Sequence, residues 1–154
     1  MTLDYNVTTQ RTLYNLFNQK IAAYPEIIPS GYLWHEGYST AGVQAIPSDS
    51  TAYPHREQNH LLVFFSEIPE GSNLADAAEA WAVENRKLWN EGQPERQPQT
   101  YVNYAQGKDY ETLESIYGYE PWRLEKLRSL KAKYDPTNRF RFFEPVVLKN
   151  GTAY

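Results

Sequence analysis

The chain has 154 residues, with 10 Pro, 8 Gly and no Cys, and its 15 basic against 19 acidic side chains leave a formal net charge of −4. That length suits one domain, 1–154, with a core that needs no disulfide or metal to form. Without Cys there is no thiolate nucleophile, cysteine-ligated zinc or iron–sulfur cluster, and a mildly acidic chain with no basic run of five residues is a poor grip for nucleic acid.

Residues 10–24 place Leu13, Leu16, Phe17, Ile21 and Tyr24 at helical spacing, and Pro25 sets the boundary. The period then changes. Gly31 to Tyr38 alternates Tyr32, Trp34, Glu36 and Tyr38 on one face with Leu33, His35 and Gly37 on the other, as a strand does. Ser39-Thr40-Ala41-Gly42 reads as a turn and Val43 to Ile46 as a short return strand, which together predict a hairpin. The continuous run Leu61-Leu62-Val63-Phe64-Phe65 predicts a strand buried on both faces. It is the longest apolar run in the chain and far short of a membrane span. Met1 to Asn6 carries neither a basic nor an apolar leader region, so a cytoplasmic protein without membrane partners is expected.

The next helix should be capped by Ser72 or Asn73 and stopped by a left-handed Gly92. Its inward stripe is Leu74, Ala77, Ala78, Trp81, Ala82, Asn85, Leu88 and Trp89. Tyr101 to Tyr104 reads as a short extended piece, and the acidic residues Asp109, Glu111 and Glu114 as solvated surface. Pro121 fits the first turn of a helix whose apolar face is Leu124, Leu127, Leu130 and Tyr134, ended by Asp135-Pro136. Phe140 to Leu148 predicts an edge strand, because Pro145 cannot donate to a ladder. The fold class is α+β, a small and mainly antiparallel sheet packed by about three helices.

Thirteen tyrosines and four tryptophans are an unusual endowment, and a tyrosine joins a flat face to one hydroxyl, which suits a pocket for a flat ligand. From Tyr101 onward several spaced elements become recognisable together: Tyr101-Val102-Asn103-Tyr104, Ile116-Tyr117-Gly118, Arg123-Leu124, Leu127 and Lys131 to Phe140. They resemble the C-terminal signature of berberine bridge enzyme-like FAD-linked oxidoreductases. Tyr53-Pro54-His55-Arg56, the apolar strand after it and the Trp-bearing helix are also similar to the later part of that family's substrate domain, so the resemblance spans roughly residues 30–145. It implies that Tyr101, Asn103 and Tyr104 face a flavin ring in full-length relatives, where a long N-terminal domain binds the rest of the FAD. No Gly-rich phosphate turn, Cys or early His stands before residue 30, so neither a bound cofactor nor a metal is expected.

The remaining chemistry rests on few groups. His35 and His55 titrate near neutrality when unperturbed, and Arg56 has the donor fork to hold a carboxylate, enolate or carbonyl oxygen. With Tyr101 they form the expected catalytic set. Tyr32, Trp34, Tyr38, Asn103 and Tyr104 are the expected substrate-binding set, in a pocket between the Tyr32–Tyr38 strand and the Tyr101–Tyr104 segment. His60 reads as packing. The expected function is a stand-alone, flavin-independent protein of secondary metabolism that binds a small hydrophobic natural product and promotes a cyclisation, isomerisation or dehydration. The alternative is a non-catalytic partner subunit, or a split half of an FAD-linked oxidoreductase that meets a separate flavin-binding chain. A truncated sheet with a free edge also predicts a homodimer.

Overall fold

Asn6 starts the first helix, α1 (Val7–Ala23): its side-chain oxygen accepts from the Thr9 amide at 3.0 Å, satisfying one of the amides that a helix N-terminus leaves open. The structure, a computed structural model, describes residues 1–2, 4–107 and 109–146, with 28–30 described by their backbone. Leu13 and Leu16 carry the buried face of α1, and Pro25 ends it in a 3-10 turn, Pro25–Ser30. Strand β1 (Tyr32–Gly37) then pairs antiparallel with β2 (His60–Phe65), with Tyr32 opposite Phe65 and Gly37 opposite His60. The hairpin expected at Ser39–Ile46 does not form. Those residues make a short helix, α2 (Ala41–Gln44), and the partner of β1 comes from further along the chain. β2 is one of two strands among the described residues, with Leu61 as its single buried residue, so it is not a doubly covered central strand. Thr2 extends that side by a single bridge to His60.

Contacts gather the chain into two units: Thr2–Tyr38 with Gln58–Gln97 (the sheet unit), and Met1, Ser39–Glu57 and the segment from Pro98 onward (the tyrosine unit). In the sheet unit, α3 (Ala75–Glu91) buries Ala78, Trp81, Asn85 and Trp89, members of the stripe read from the sequence. Trp81 is fully buried, with Phe64 of β2 at 4.7 Å and Phe17 of α1 at 5.5 Å between ring centroids. Burying a tryptophan among such rings is the largest single apolar contribution this core makes. Neither Ser72 nor Asn73 caps α3; Leu74 takes the position with no side-chain bond. Gly92 is right-handed, with φ −69°, and is small for another reason. A Cβ there would lie 2.0 Å from the Thr9 hydroxyl oxygen, so α1 can approach only a glycine.

In the tyrosine unit, α4 (Leu113–Tyr117) opens with a reciprocal Thr112–Ser115 capping box, and α5 (Pro121–Tyr134) has Pro121 in its first turn, as expected. Leu124 is buried, but Leu130 and Tyr134 stay exposed; the other buried residue of α5 is Arg123. Its guanidinium donates to Ser48 O at 2.9 Å, Thr51 O at 3.0 Å and the Ser48 hydroxyl at 2.8 Å, and lies over the Trp122 ring. Glu111, expected on a solvated acidic surface, is buried and accepts the Gln106 and Gly107 amides, both at 3.1 Å. Asp109 and Glu114 do lie at the surface. Residues 140–146 contain no strand, because Asp135 gathers the chain into a turn by accepting the Arg139 and Phe140 amides; Val147 and Leu148 of the expected edge strand lie outside the described residues. The class is α+β, with more helix and less sheet than the pattern suggested.

Candidate functional site

Tyr101 leads into a 3-10 turn, Val102–Tyr104, rather than an extended piece, and this turn lays three expected site residues side by side. The Asn103 amide donates to the Tyr101 phenol oxygen at 2.8 Å, and the Tyr101 and Tyr104 rings meet edge to face at 5.4 Å. On its other side the Tyr101 ring meets Tyr53 at 6.2 Å, and Tyr53 meets His55 at 5.6 Å, both nearly perpendicular. His55, Tyr53, Tyr101 and Tyr104 therefore form one run of T-shaped aromatic contacts, a favoured geometry for ring quadrupoles. The run goes from buried at His55 to open at Tyr104, which is 44% exposed. Burial pushes the Tyr53 phenol up, helped by Tyr101 and opposed by Arg56. Sequence reasoning missed Tyr53; its place in the quoted Tyr53-Pro54-His55-Arg56 run was the available signal.

His55 and Arg56 are engaged with the backbone. The His55 ring is 3% exposed, and its Nε2 lies 3.0 Å from the Thr100 carbonyl oxygen. Burial, partly opposed by backbone hydrogen bonds, pulls its pKa down to about 4, so the ring is neutral at pH 7 and the Nε2 proton goes to Thr100. Arg56 donates to the carbonyls of Val43 and Ile46 and to the Thr51 hydroxyl, at 2.5, 2.6 and 2.6 Å, and so ties down residues 43–51. The local structure thus uses both groups to position neighbours of the tyrosines.

The other expected residues belong to the sheet unit. Tyr32, Trp34 and Glu36 share the face of β1 opposite to Leu33 and His35, as the alternation required. Tyr32 stacks nearly parallel with Trp34 at 5.3 Å and with Phe65 of β2 at 5.4 Å. The Tyr38 hydroxyl donates to Glu36 at 2.7 Å. His35 stands on the other face, edge-on to Tyr5 at 5.5 Å, and Tyr5 lies 4.1 Å from His60. Burial and then the neighbouring His60 lower the His35 pKa. The expected pocket residues are thus two sets, one in each unit: Tyr32, Trp34, Tyr38 and His35, and His55, Arg56, Tyr101, Asn103 and Tyr104.

Fold and site define an α+β protein that presents two aromatic faces, each with a hydrogen-bonded phenol, Tyr101 in one unit and Tyr38 in the other. The family model described as berberine and berberine-like matches residues 100–146, the stretch that contains Tyr101, Asn103 and Tyr104. The FAD-linked oxidoreductase iacH of Pestalotiopsis fici is 67% identical over 96% of this chain and 29% of its own length. The FAD-linked oxidoreductase anuG of Penicillium roqueforti is 50% identical over 93% of this chain and 28% of its own. The FAD-linked oxidoreductase OXR2 of Pyricularia oryzae is 44% identical over 92% and 28%. In the part it spans, the chain is similar to FAD-linked oxidoreductases, and the berberine-type match lies within residues 100–146. It spans under a third of the length of these curated relatives. No solved structure matches it. No helix among the described residues is long and apolar enough to cross a membrane.

Proposed function

We propose that this chain is the substrate-side segment of an FAD-linked oxidoreductase acting in natural-product biosynthesis, with the flavin held mainly by residues outside the span described here. The observation that carries this reading is the Asn103–Tyr101 hydrogen bond inside the run of T-shaped rings, within the stretch that matches the family. One lone pair of the Tyr101 oxygen is occupied by Asn103, so the hydroxyl is oriented to exchange a proton with a substrate oxygen. Tyr104 adds an open edge against which a flat ring can rest. The residues fit the ring end of a flavin and not its pyrophosphate. β2 leads to α3 through a single glycine, Gly71, flanked by Glu67 and Glu70, where a phosphate needs amides and positive charge. A flavin bound against Tyr101 and Tyr104 would supply a two-electron acceptor; the chain's own residues orient the substrate and move its proton.

Flavin fluorescence tests this. The chain should quench riboflavin and FAD saturably, with affinities within about threefold of each other because the adenine end is not gripped, and Tyr104→Ala should weaken both. FAD binding at least tenfold tighter than riboflavin, or no saturable quenching, contradicts the reading.

A second reading is favoured by the same hydroxyl, which is held by the chain's own Asn103 and needs no cofactor to act as an acid or base. In it the chain alone promotes a cyclisation, isomerisation or dehydration, and turnover by flavin-free protein is its test. The homodimer rests on the outer edge of β1, which pairs with β2 alone among the described residues.

A further inference from the structure

Two glutamates of the tyrosine unit are buried close together: Glu111 is 7% exposed and Glu144 8%. The Gln106 and Gly107 amides donate to Glu111 at 3.1 Å each, and the Gly107 amide also hydrogen-bonds Glu144. The two carboxyls thus converge on one amide from distant stretches of the chain. Glu144 sits at φ 37°, in the left-handed region, which a glutamate keeps only where its surroundings hold it. Its Oε1 is buried with no hydrogen-bond partner. Two like charges in one buried site oppose each other's ionisation, and a buried carboxylate oxygen without a donor is costly. A proton on Oε1 of Glu144 relieves both, because the carboxyl becomes neutral and gains a donor beside Glu111. Tyr117 of α4 lies near Glu144, and burial, then Glu144, hold its phenol pKa up, so that group stays neutral. On the segment itself Arg141 donates to the Asn138 carbonyl and lies over the Phe142 ring, while Lys131 of α5 serves Asp135 and the Phe140 carbonyl.

We propose that residues 140–146 are latched to the loop that follows Tyr104 by one proton held between Glu144 and Glu111, and that loss of this proton to solvent as the pH rises opens the latch. Burial first, and then Glu111, hold the Glu144 pKa above its ordinary value, with the Gly107 amide opposing them. Once the latch is open Glu144 ionises at the ordinary value, so the latch is complete below that value and weakens as the pH climbs through the raised one. The device reaches the aromatic run, because the Ala105 amide closes the Tyr101–Tyr104 turn on the Val102 carbonyl at 3.2 Å, directly before Gln106 and Gly107. It goes beyond the flavin reading and does not depend on it.

Hydrogen–deuterium exchange of the intact chain between pH 5 and pH 8.5 reads the latch, with each rate divided by the intrinsic rate at that pH. In the wild type, protection of the Gln106 and Gly107 amides should fall as the pH rises, by up to about tenfold per pH unit, the slope for release of one proton. Glu144→Gln keeps the shape and the neutrality of the protonated carboxyl. Its protection should match the wild type at pH 5 and stay level to pH 8.5. In a chain labelled with carbon-13 at the glutamate carboxyls, one resonance should titrate above the rest and be missing from Glu144→Gln. Wild-type protection independent of pH, a Glu144→Gln chain that follows the wild-type slope, or one less protected than the wild type at pH 8.5 each overturns the proposal. So does a set of carboxyl resonances that all titrate together. Neither flavin nor turnover enters these measurements, so their failure is separate from failure of the flavin quenching test.

Discussion

His55 links the aromatic site to stability, and pH isolates its contribution. The ring is 3% exposed and its folded pKa is about 4, against an unperturbed 6.5. A histidine with a depressed folded pKa contributes nothing above pH 6.5, where both states are neutral. Below that value the unfolded chain takes up the proton first, so stability falls until the pH nears the folded pKa of about 4. Linkage between these two values gives a loss of about 1 kcal/mol at pH 5.5 and about 2–3 kcal/mol at pH 4.5. His55→Gln keeps an amide donor for Thr100 and has no such titration; it should cost about 1–2 kcal/mol at pH 7 through a poorer hydrogen bond and packing. Urea titrations of both proteins at pH 7, 5.5 and 4.5 read the difference, and the other titrating groups cancel. The wild type should be ahead at pH 7, about level at pH 5.5 and behind at pH 4.5. A gap constant to within about 0.5 kcal/mol over that range would refute the buried, neutral histidine.

Two further substitutions test the sheet unit. Gly92→Ala should destabilise by about 1–3 kcal/mol through overpacking against Thr9, although the backbone there suits any residue; Thr9→Ala in the same protein should recover part of the loss, and additive effects would show that the contact does not matter. Asn85 is buried with neither amide atom bonded, so Asn85→Leu should raise the denaturation midpoint by the equivalent of about 1–2 kcal/mol; a fall would mean that the amide has a partner such as an internal water.

What could be read in the sequence was what local pattern determines. The period of Ala78, Trp81, Asn85 and Trp89 located α3, and Pro121 located the start of α5, because spacing and the missing proline amide act within a turn or two. The segment Ser39–Thr51 was not legible, since what organises it comes from elsewhere: Arg56 takes the carbonyls of Val43 and Ile46, and Arg123 takes those of Ser48 and Thr51. A four-residue return strand read at Val43–Ile46 carries little weight against such contacts. Glu111 was misplaced for the same reason, because a carboxylate that accepts two amides can be buried, and neighbouring charges in the sequence do not reveal that. Within the site, the motif located Tyr101, Asn103 and Tyr104, whereas the contact of Tyr53 with Tyr101 joins residues distant in sequence, and the Tyr53–Arg56 run marks Tyr53 without revealing that partner.

The most direct test of the central claim places the chain where its relatives carry their own version. The matching segment of the Pestalotiopsis fici oxidoreductase, 67% identical to this chain, is replaced by residues 1–154, and flavin content and turnover of that enzyme's own substrate are measured. The account predicts a yellow chimera that turns over, and a Tyr101→Phe version that keeps its flavin while losing about a hundredfold or more in turnover, the lower end of what one acid–base group contributes. A chimera that folds with flavin and turns over equally well with Tyr101→Phe would contradict it.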